Sequence, residues 1–164
     1  MKTLFAHLLL ASLTTLSDLA QSPAPINLAI TGTAEELIAL ERTKVDYIFG
    51  TPEQKQAAIV MFGTDFHGIE FNAAGASRGD YARAVKKLSN SFFPPMPPGA
   101  LKMSDVQVFE LQPECSIVSY AMNGPGPDGT PWTGYLSSIW VRRGNEWKTS
   151  FYQVTVVPPK STQP

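Results

Sequence analysis

A chain of 164 residues, 43% hydrophobic and 16% charged, has the composition of one globular domain with a buried core rather than of an array. Its 13 basic and 14 acidic residues are mixed along the sequence and leave a formal net charge of −1. No sustained positive field exists to hold a phosphate backbone, so nucleic acid is not expected as a partner. The single cysteine, Cys115, rules out an intrachain disulfide, so stability must come from the core.

In chain order, Lys2 gives a short positive start, an apolar run of ten follows from Leu4 to Leu13, and Ala20 closes a Ser/Thr-containing segment. This pattern predicts a secretory signal peptide over residues 1–20 and a secreted or periplasmic protein. It predicts no membrane span, because a helix needs roughly 20 apolar residues to cross a bilayer. His7 interrupts the run and Asp18 sits poorly for a cut after Ala20, which leaves the cleavage point between Ser17 and Ser22. Residues 21–32, with Pro23 and Pro25, read as a linker, and residues 33–157 as the folded domain.

Thr33 and Glu36 have the spacing of a capping box, and Leu37, Ile38, Leu40, Val45, Ile48 and Phe49 form the apolar stripe of a first helix ending at Gly50. Thr51-Pro52-Glu53-Gln54 starts a second helix, with proline at the first helical position. Residues 67–71 are long enough for a short strand only. Asp80 is placed to cap a third helix, in which Tyr81, Ala84, Val85 and Leu88 fall at i, i+3, i+4 and i+7. The run Pro94-Pro95-Met96-Pro97-Pro98 can propagate neither regular structure and reads as an extended connector. The pattern then becomes β over residues 103–111, 116–123, 132–143 and 147–157, with a Gly/Pro-rich loop at 124–129 and a polar tail at 158–164. Helices followed by long strands predict an α+β fold: three N-terminal helices packed on a curved, mostly antiparallel sheet, shaped as a cone.

The last two strands enclose Gly144-Asn145. A two-residue turn there sets Arg142 opposite Trp147, Trp140 opposite Thr149, and Ser138 opposite Phe151. Alternation then places Ser138, Trp140, Arg142, Trp147, Thr149, Phe151 and Gln153 on one side, and Ile139, Val141, Lys148, Ser150 and Tyr152 on the other. Neither side is cleanly polar, as a sheet covered on both faces requires.

Four stretches carry a resemblance to a known family: Leu37-Ile38-Ala39-Leu40-Glu41-Arg42 with Asp46, Thr64-Asp65-Phe66, Ser104-Asp105-Val106-Gln107-Val108, and the ribbon from Ile139 to Lys148 that leads to Gln153. By their order and distances the chain resembles the nuclear-transport-factor-two-like superfamily, in its SnoaL-like and ketosteroid-isomerase-like branch, over about residues 34–157. The resemblance implies a conical fold with a hydrophobic pocket in its open end, commonly a homodimer built through the sheet. It does not imply one activity.

In the isomerase-like members a carboxylate on the short strand moves a proton and nearby donors hold the oxyanion. By that resemblance Glu70 is the candidate general base and Tyr47 the candidate donor. The later strands offer no second aspartate facing the pocket. Asp65 and His67, two apart, form a possible proton-transfer pair, although Asp65 is favoured as a backbone cap. A small hydrophobic ligand would lie among Phe62, Phe66, Tyr81, Tyr120, Trp140, Phe151 and Gln153. No cofactor is expected. The only histidines are His7 and His67, so a multi-histidine metal site is excluded. Glu41 follows a strongly apolar turn, and pairing with Arg42, Arg78 or Arg83 would satisfy it. The expectation is therefore an exported small-molecule-binding or dimeric interaction domain without catalysis. The alternative is a cofactor-free isomerase, cyclase or dehydratase acting on a hydrophobic carbonyl compound through Glu70.

Overall fold

The computed structural model describes residues 32–72, 74–90, 93–125 and 129–157. The expected signal peptide, most of the linker and the tail at 158–164 lie outside the described residues. Three helices, α1 (Gly32–Ile48), α2 (Pro52–Ile59) and α3 (Tyr81–Ser89), accompany six strands. The strands are β1 (Phe62–Asn72), β2 (Gly75–Asp80), β3 (Lys102–Gln112), β4 (Cys115–Pro125), β5 (Pro131–Arg143) and β6 (Glu146–Val157). They form one sheet in the order β2-β1-β6-β5-β4-β3, antiparallel throughout except for the parallel pair of β1 and β6. The expected α+β architecture, with helices packed on a curved and mostly antiparallel sheet, is the one observed.

The local chemistry behind these elements is mostly visible. Thr51 caps α2 in a full capping box with Gln54, each residue's side chain satisfying the other's backbone N–H. Asp80 caps α3 by accepting from the Arg83 backbone N–H at 2.9 Å. Thr33 does not cap α1, because the helix already includes Gly32. The short strand expected at 67–71 is an eleven-residue strand, and β2 was not expected at all. Its Gly-Ala-Ser-Arg-Gly-Asp sequence carries no β-branched or aromatic residue, so only its antiparallel pairing with β1 makes it a strand.

The interior contains two clusters. One gathers Leu37 and Val45 of α1 with Val118, Tyr120, Met122, Trp140 and Trp147 of the sheet. The other gathers Ala58, Ile59, Phe62, Phe66 and Leu88, with Tyr47, Tyr81 and Tyr152 packed against it. The connector after α3 is tied down: Lys55 donates to the Phe93 carbonyl at 2.6 Å, Met96 N–H to the Phe49 carbonyl at 2.8 Å, and the Phe49 and Phe93 rings meet edge to face.

The closing ribbon follows the expected register and then departs from it. Arg142 opposes Trp147 and Trp140 opposes Thr149, across a turn with Gly144 at φ 64°. A bulge then adds one residue on β6, so Ile139 opposes Phe151 and Ser138 opposes Tyr152. Ser150 is the extra residue, and its hydroxyl reaches Asp65 at 3.3 Å. The shift reverses the alternation beyond it. Tyr152 and Val154 therefore join Trp147 and Thr149 on the helix-covered face, while Phe151 and Gln153 move to the outer face.

Gly68 sits under this reversal. A Cβ there would lie 2.7 Å from the Tyr152 ring and 3.3 Å from Phe66, and those two rings are themselves stacked at 5.5 Å. Gly68→Ala is expected to destabilise the fold by about 1–3 kcal/mol through overpacking. The check is a lowered urea midpoint with an unchanged slope; an unchanged midpoint would show that the rings have room.

Candidate functional site

Two polar places lie on the covered face. The deeper is built on α1, where Leu37, Glu41, Lys44, Val45 and Ile48 fall at i, i+4, i+7, i+8 and i+11, so a carboxylate and an ammonium occupy the buried stripe itself. Glu41 is 0% exposed and Lys44 3%. The carboxylate has four donors: Tyr120 OH at 2.7 Å and Ser138 Oγ at 3.0 Å on Oε1, with Trp140 Nε1 at 2.7 Å and Lys44 Nζ at 2.9 Å on Oε2. The ammonium also donates to Ser138 Oγ at 2.9 Å and Thr149 Oγ1 at 3.4 Å, and lies 5.0 Å from the Trp140 ring centroid. Ser138 thus accepts from the cation and donates to the anion.

Burial pulls the Lys44 pKa down against the charge and hydrogen bond of Glu41. Burial also drives Tyr120 well above the ordinary tyrosine value, reinforced by the charge and hydrogen bond of Glu41 and by Tyr152. A carboxylate saturated in this way is a structural acceptor, since taking a substrate proton would require it to release a donor. The expected arginine partners of Glu41 are not used; Lys44, one turn away, takes that place.

The second place is a cleft of about 30 Å³ between α3, the β1–β2 hairpin and β6, lined among others by Phe66, Gly68, Glu70, Arg78, Arg83, Lys87 and Tyr152. It has room for one or two waters. Glu70 is half-buried, 3.8 Å from Lys87 Nζ, and accepts from Asn72 at 3.3 Å. Tyr152 is pushed up to about 12 by burial and by the Glu70 charge, with Arg83 opposing.

The sequence candidates are distributed over these places and others. Phe66 lines the cleft floor and meets Phe62 edge to face at 4.6 Å. Tyr120 and Trp140 belong to the Glu41 cluster. Tyr47 and Tyr81 pack against the second apolar cluster, and neither lines the cleft beside Glu70, so the structure does not bring Glu70 and Tyr47 into one cavity. Asp65 is bound by Arg143 at 2.5 Å and by Ser150. Burial raises the Asp65 pKa, but hydrogen bonds led by Arg143 hold it below the usual value. His67 is exposed and paired across the sheet with Phe151, with no hydrogen bond to Asp65. Phe151 and Gln153 face outward past the bulge, and Gln153 donates to Thr155 at 3.0 Å. Among the described residues no group of three or more His, Cys, Asp or Glu side chains could hold a metal, and no helix is long and apolar enough to cross a membrane.

Sequence reasoning missed Lys44, Ser138, Thr149, Arg83 and Tyr152. For Lys44 a signal existed: it lies seven residues after Leu37, on the stripe. For Tyr152 none did, because its side depends on the bulge.

Breaking the buried pair by Lys44→Met strands the Glu41 charge and is expected to cost about 3–5 kcal/mol, whereas Glu41→Leu with Lys44→Met costs far less than the two singles summed. Urea unfolding of the three variants checks this, and additive losses would contradict it. The tyrosines make a second test. An unfolded tyrosine ionises near 10, so from there to about 12 the unfolded chain loses protons that Tyr152 keeps when folded. Its contribution is full below pH 10 and is lost as pH rises through 12, with Tyr120 adding in the same sense. Lys44, shifted down, acts oppositely and only below its ordinary 10.5. Tyr152→Phe should therefore flatten the alkaline fall in stability, measured by urea unfolding at stepped pH; an equally steep fall would refute the assignment.

No protein-family model matches the chain, and no curated protein matches it. Solved structures do. An NTF2-like protein from Cytophaga hutchinsonii superposes with a TM-score of 0.64 at 13% identity, covering 77% of this chain and 100% of its own. The CaMKII hub homology domain from Chlamydomonas reinhardtii gives 0.60 at 16% identity, covering 78% and 100%. The association domain of C. elegans CaMKII gives 0.58 at 12%, covering 74% and 94%. At such identities the likeness is one of architecture. The chain has the NTF2-like fold.

Proposed function

We propose that the chain is an exported homodimeric association domain, with a second copy of itself on the outer face of the sheet. The observation that carries this reading is the row His67, Phe151, Ile139, Ile117 and Phe109, set side by side across five strands by the register. A parallel row follows four residues along: Phe71, Thr155, Tyr135 and Ala121. Phe71 is 41%, Phe109 37% and Tyr135 59% exposed. The helices cover the opposite face, so apolar rows of this extent are left for a partner. Between them run Gln153, Ser137, Ser119 and Gln107, a polar stripe able to fix the register of an interface. Two of the similar structures are described as an association domain and a hub homology domain, which supports assembly as the role.

The small volume of the cleft beside Glu70 favours assembly over small-molecule binding. A ligand pocket of ordinary size holds about 300 Å³ or more. The cleft beside Glu70 offers a tenth of that and is rimmed by charges. Export rests on Lys2 and the apolar run from Leu4 to Leu13.

Sedimentation velocity on the purified protein at about 10–100 μM tests the assembly. A dimer is expected, Tyr135→Glu should weaken it by about 30-fold or more, the scale of one central interface residue, and Val60→Glu on the helical side should leave it intact. A monomeric wild-type protein across that range would sink the proposal. Export has a separate check: the intact mass of protein recovered outside the cytoplasm should lack a segment ending between Ser17 and Ser22, and a full-length product would contradict it.

A further inference from the structure

His67 is the only histidine among the described residues, and the register sets it at the end of the outer row that runs through Phe151, Ile139 and Ile117 to Phe109. In the single copy its imidazole is exposed and makes no hydrogen bond or ion pair with a described residue. The elements beside it offer no free carboxylate. On β1, Asp65 is taken by Arg143 and Ser150, and Glu70 lies on the covered face near Lys87. On β2, the directly opposed Asp80 accepts from the Arg83 backbone N–H, while Arg78, opposite Ile69 on the same outer face, adds a cation. On β6, the neighbours Ser150, Phe151 and Gln153 carry no charge.

With the outer face as the interface between two copies, the reading on which this step rests, His67 goes beneath the partner. Ser137 is the midpoint of the rows, on the central strand β5 of the five. Strand spacing and rise put His67 about 10 Å across and about 7 Å along from it, or about 12 Å in all. An interface of ordinary size, about 800 Å² per partner, reaches about 16 Å from its centre. A face-to-face two-fold axis along the polar stripe sets His67 against the partner's Phe71, and one along β5 sets it against the partner's Phe109. Either way the imidazole meets an apolar ring. We infer that His67 makes the dimer pH-sensitive, holding the two copies together as a neutral imidazole and separating them when it gains a proton.

An imidazolium in that place would give up its water with Arg78 nearby and no carboxylate to replace the lost hydration. The attraction of a cation to one ring face is smaller than the hydration given up. Imidazole is also the side chain whose charge ordinarily changes between pH 5 and 8. The separated copies then bind protons that the dimer does not, so association is complete above the ordinary imidazole value of about 6.5 and is lost as pH falls below it.

The test is sedimentation equilibrium of the purified protein at pH 7.5, 6.5 and 5.5 and constant ionic strength, with near-UV circular dichroism at each pH. The dimer Kd should rise about 100-fold from pH 7.5 to 5.5, about tenfold for each of the two imidazoles. The dichroism should stay unchanged, which marks the change as dissociation of folded copies. His67→Gln, a substitution at an exposed position, should form a dimer whose Kd varies less than about threefold over the same range, because the amide has no proton to gain. A wild-type dimer of constant Kd, the same pH dependence in His67→Gln, or unfolding of the wild type at pH 5.5 would each overturn the role of His67 while leaving the dimer at pH 7.5 in place. A monomer at pH 7.5 would instead remove the dimer itself, and the switch with it.

Discussion

A carboxylate in the middle of an apolar helix stripe constrains everything packed around it. Glu41 without water needs its acceptor sites filled, and the donors come from three directions: Tyr120 on β4, Ser138 and Trp140 on β5, and Lys44 from the next turn of α1. Lys44 carries the requirement on to Thr149 of β6. A one-residue slip of β5 would turn both Ser138 and Trp140 to the other face and leave the carboxylate short of two donors. A slip in a purely apolar register loses buried surface; here it would also strand a buried charge. Desolvating the pair is expensive, and an apolar replacement of equal volume could be as stable. What the charged pair supplies is a single allowed docking of α1 on three neighbouring strands.

The bulge at Ser150 is the second constraint, and it acts where the first ends. Up to Thr149 the inner face of β6 is fixed by the Glu41–Lys44 cluster. Beyond it, strict alternation would send Phe151 and Gln153 inward and Tyr152 out. One extra residue reverses that, and the extra side chain is tethered by Asp65, itself held by Arg143 from across the ribbon. Asp65, a candidate for proton transfer by its spacing from His67, thus stands in the structure as the anchor of a bulge. Its effect is indirect: it decides that a tyrosine, rather than a glutamine, lines the cleft.

How much of this was readable in the sequence follows from the range of the interactions involved. The capping box at Thr51, the cap at Asp80, the last four strands and the pairing of Trp140 with Thr149 are set within a few residues of their own sequence, and all could be read there. The strand β2 could not, because its Gly/Ala/Ser-rich sequence is extended only by its pairing with β1. The extra length of β1 has the same origin, a parallel partner about 80 residues away. At the site, the position of Glu41 on the stripe is visible but the expected partners are Arg42, Arg78 or Arg83, although Lys44 lies on the same stripe three residues later. The cleft was legible as far as Glu70. Its other members, Arg83 and Tyr152, arrive through the α3 cap and the bulge, both of which depend on how separate elements meet.

A hydrogen-bonded ion pair occupies the interior beside α1, and β6 shows how the outer face and the cleft are kept apart. Phe151 and Tyr152 are consecutive, so they point to opposite faces: Phe151 completes the outer apolar row, and Tyr152 forms the floor of the cleft. Gly68 on β1 faces Tyr152 and leaves its ring room, while His67 beside it faces Phe151. Each surface therefore draws on the same two strands without sharing a side chain. A partner bound on the outer rows would not cover the cleft, since the sheet itself lies between them.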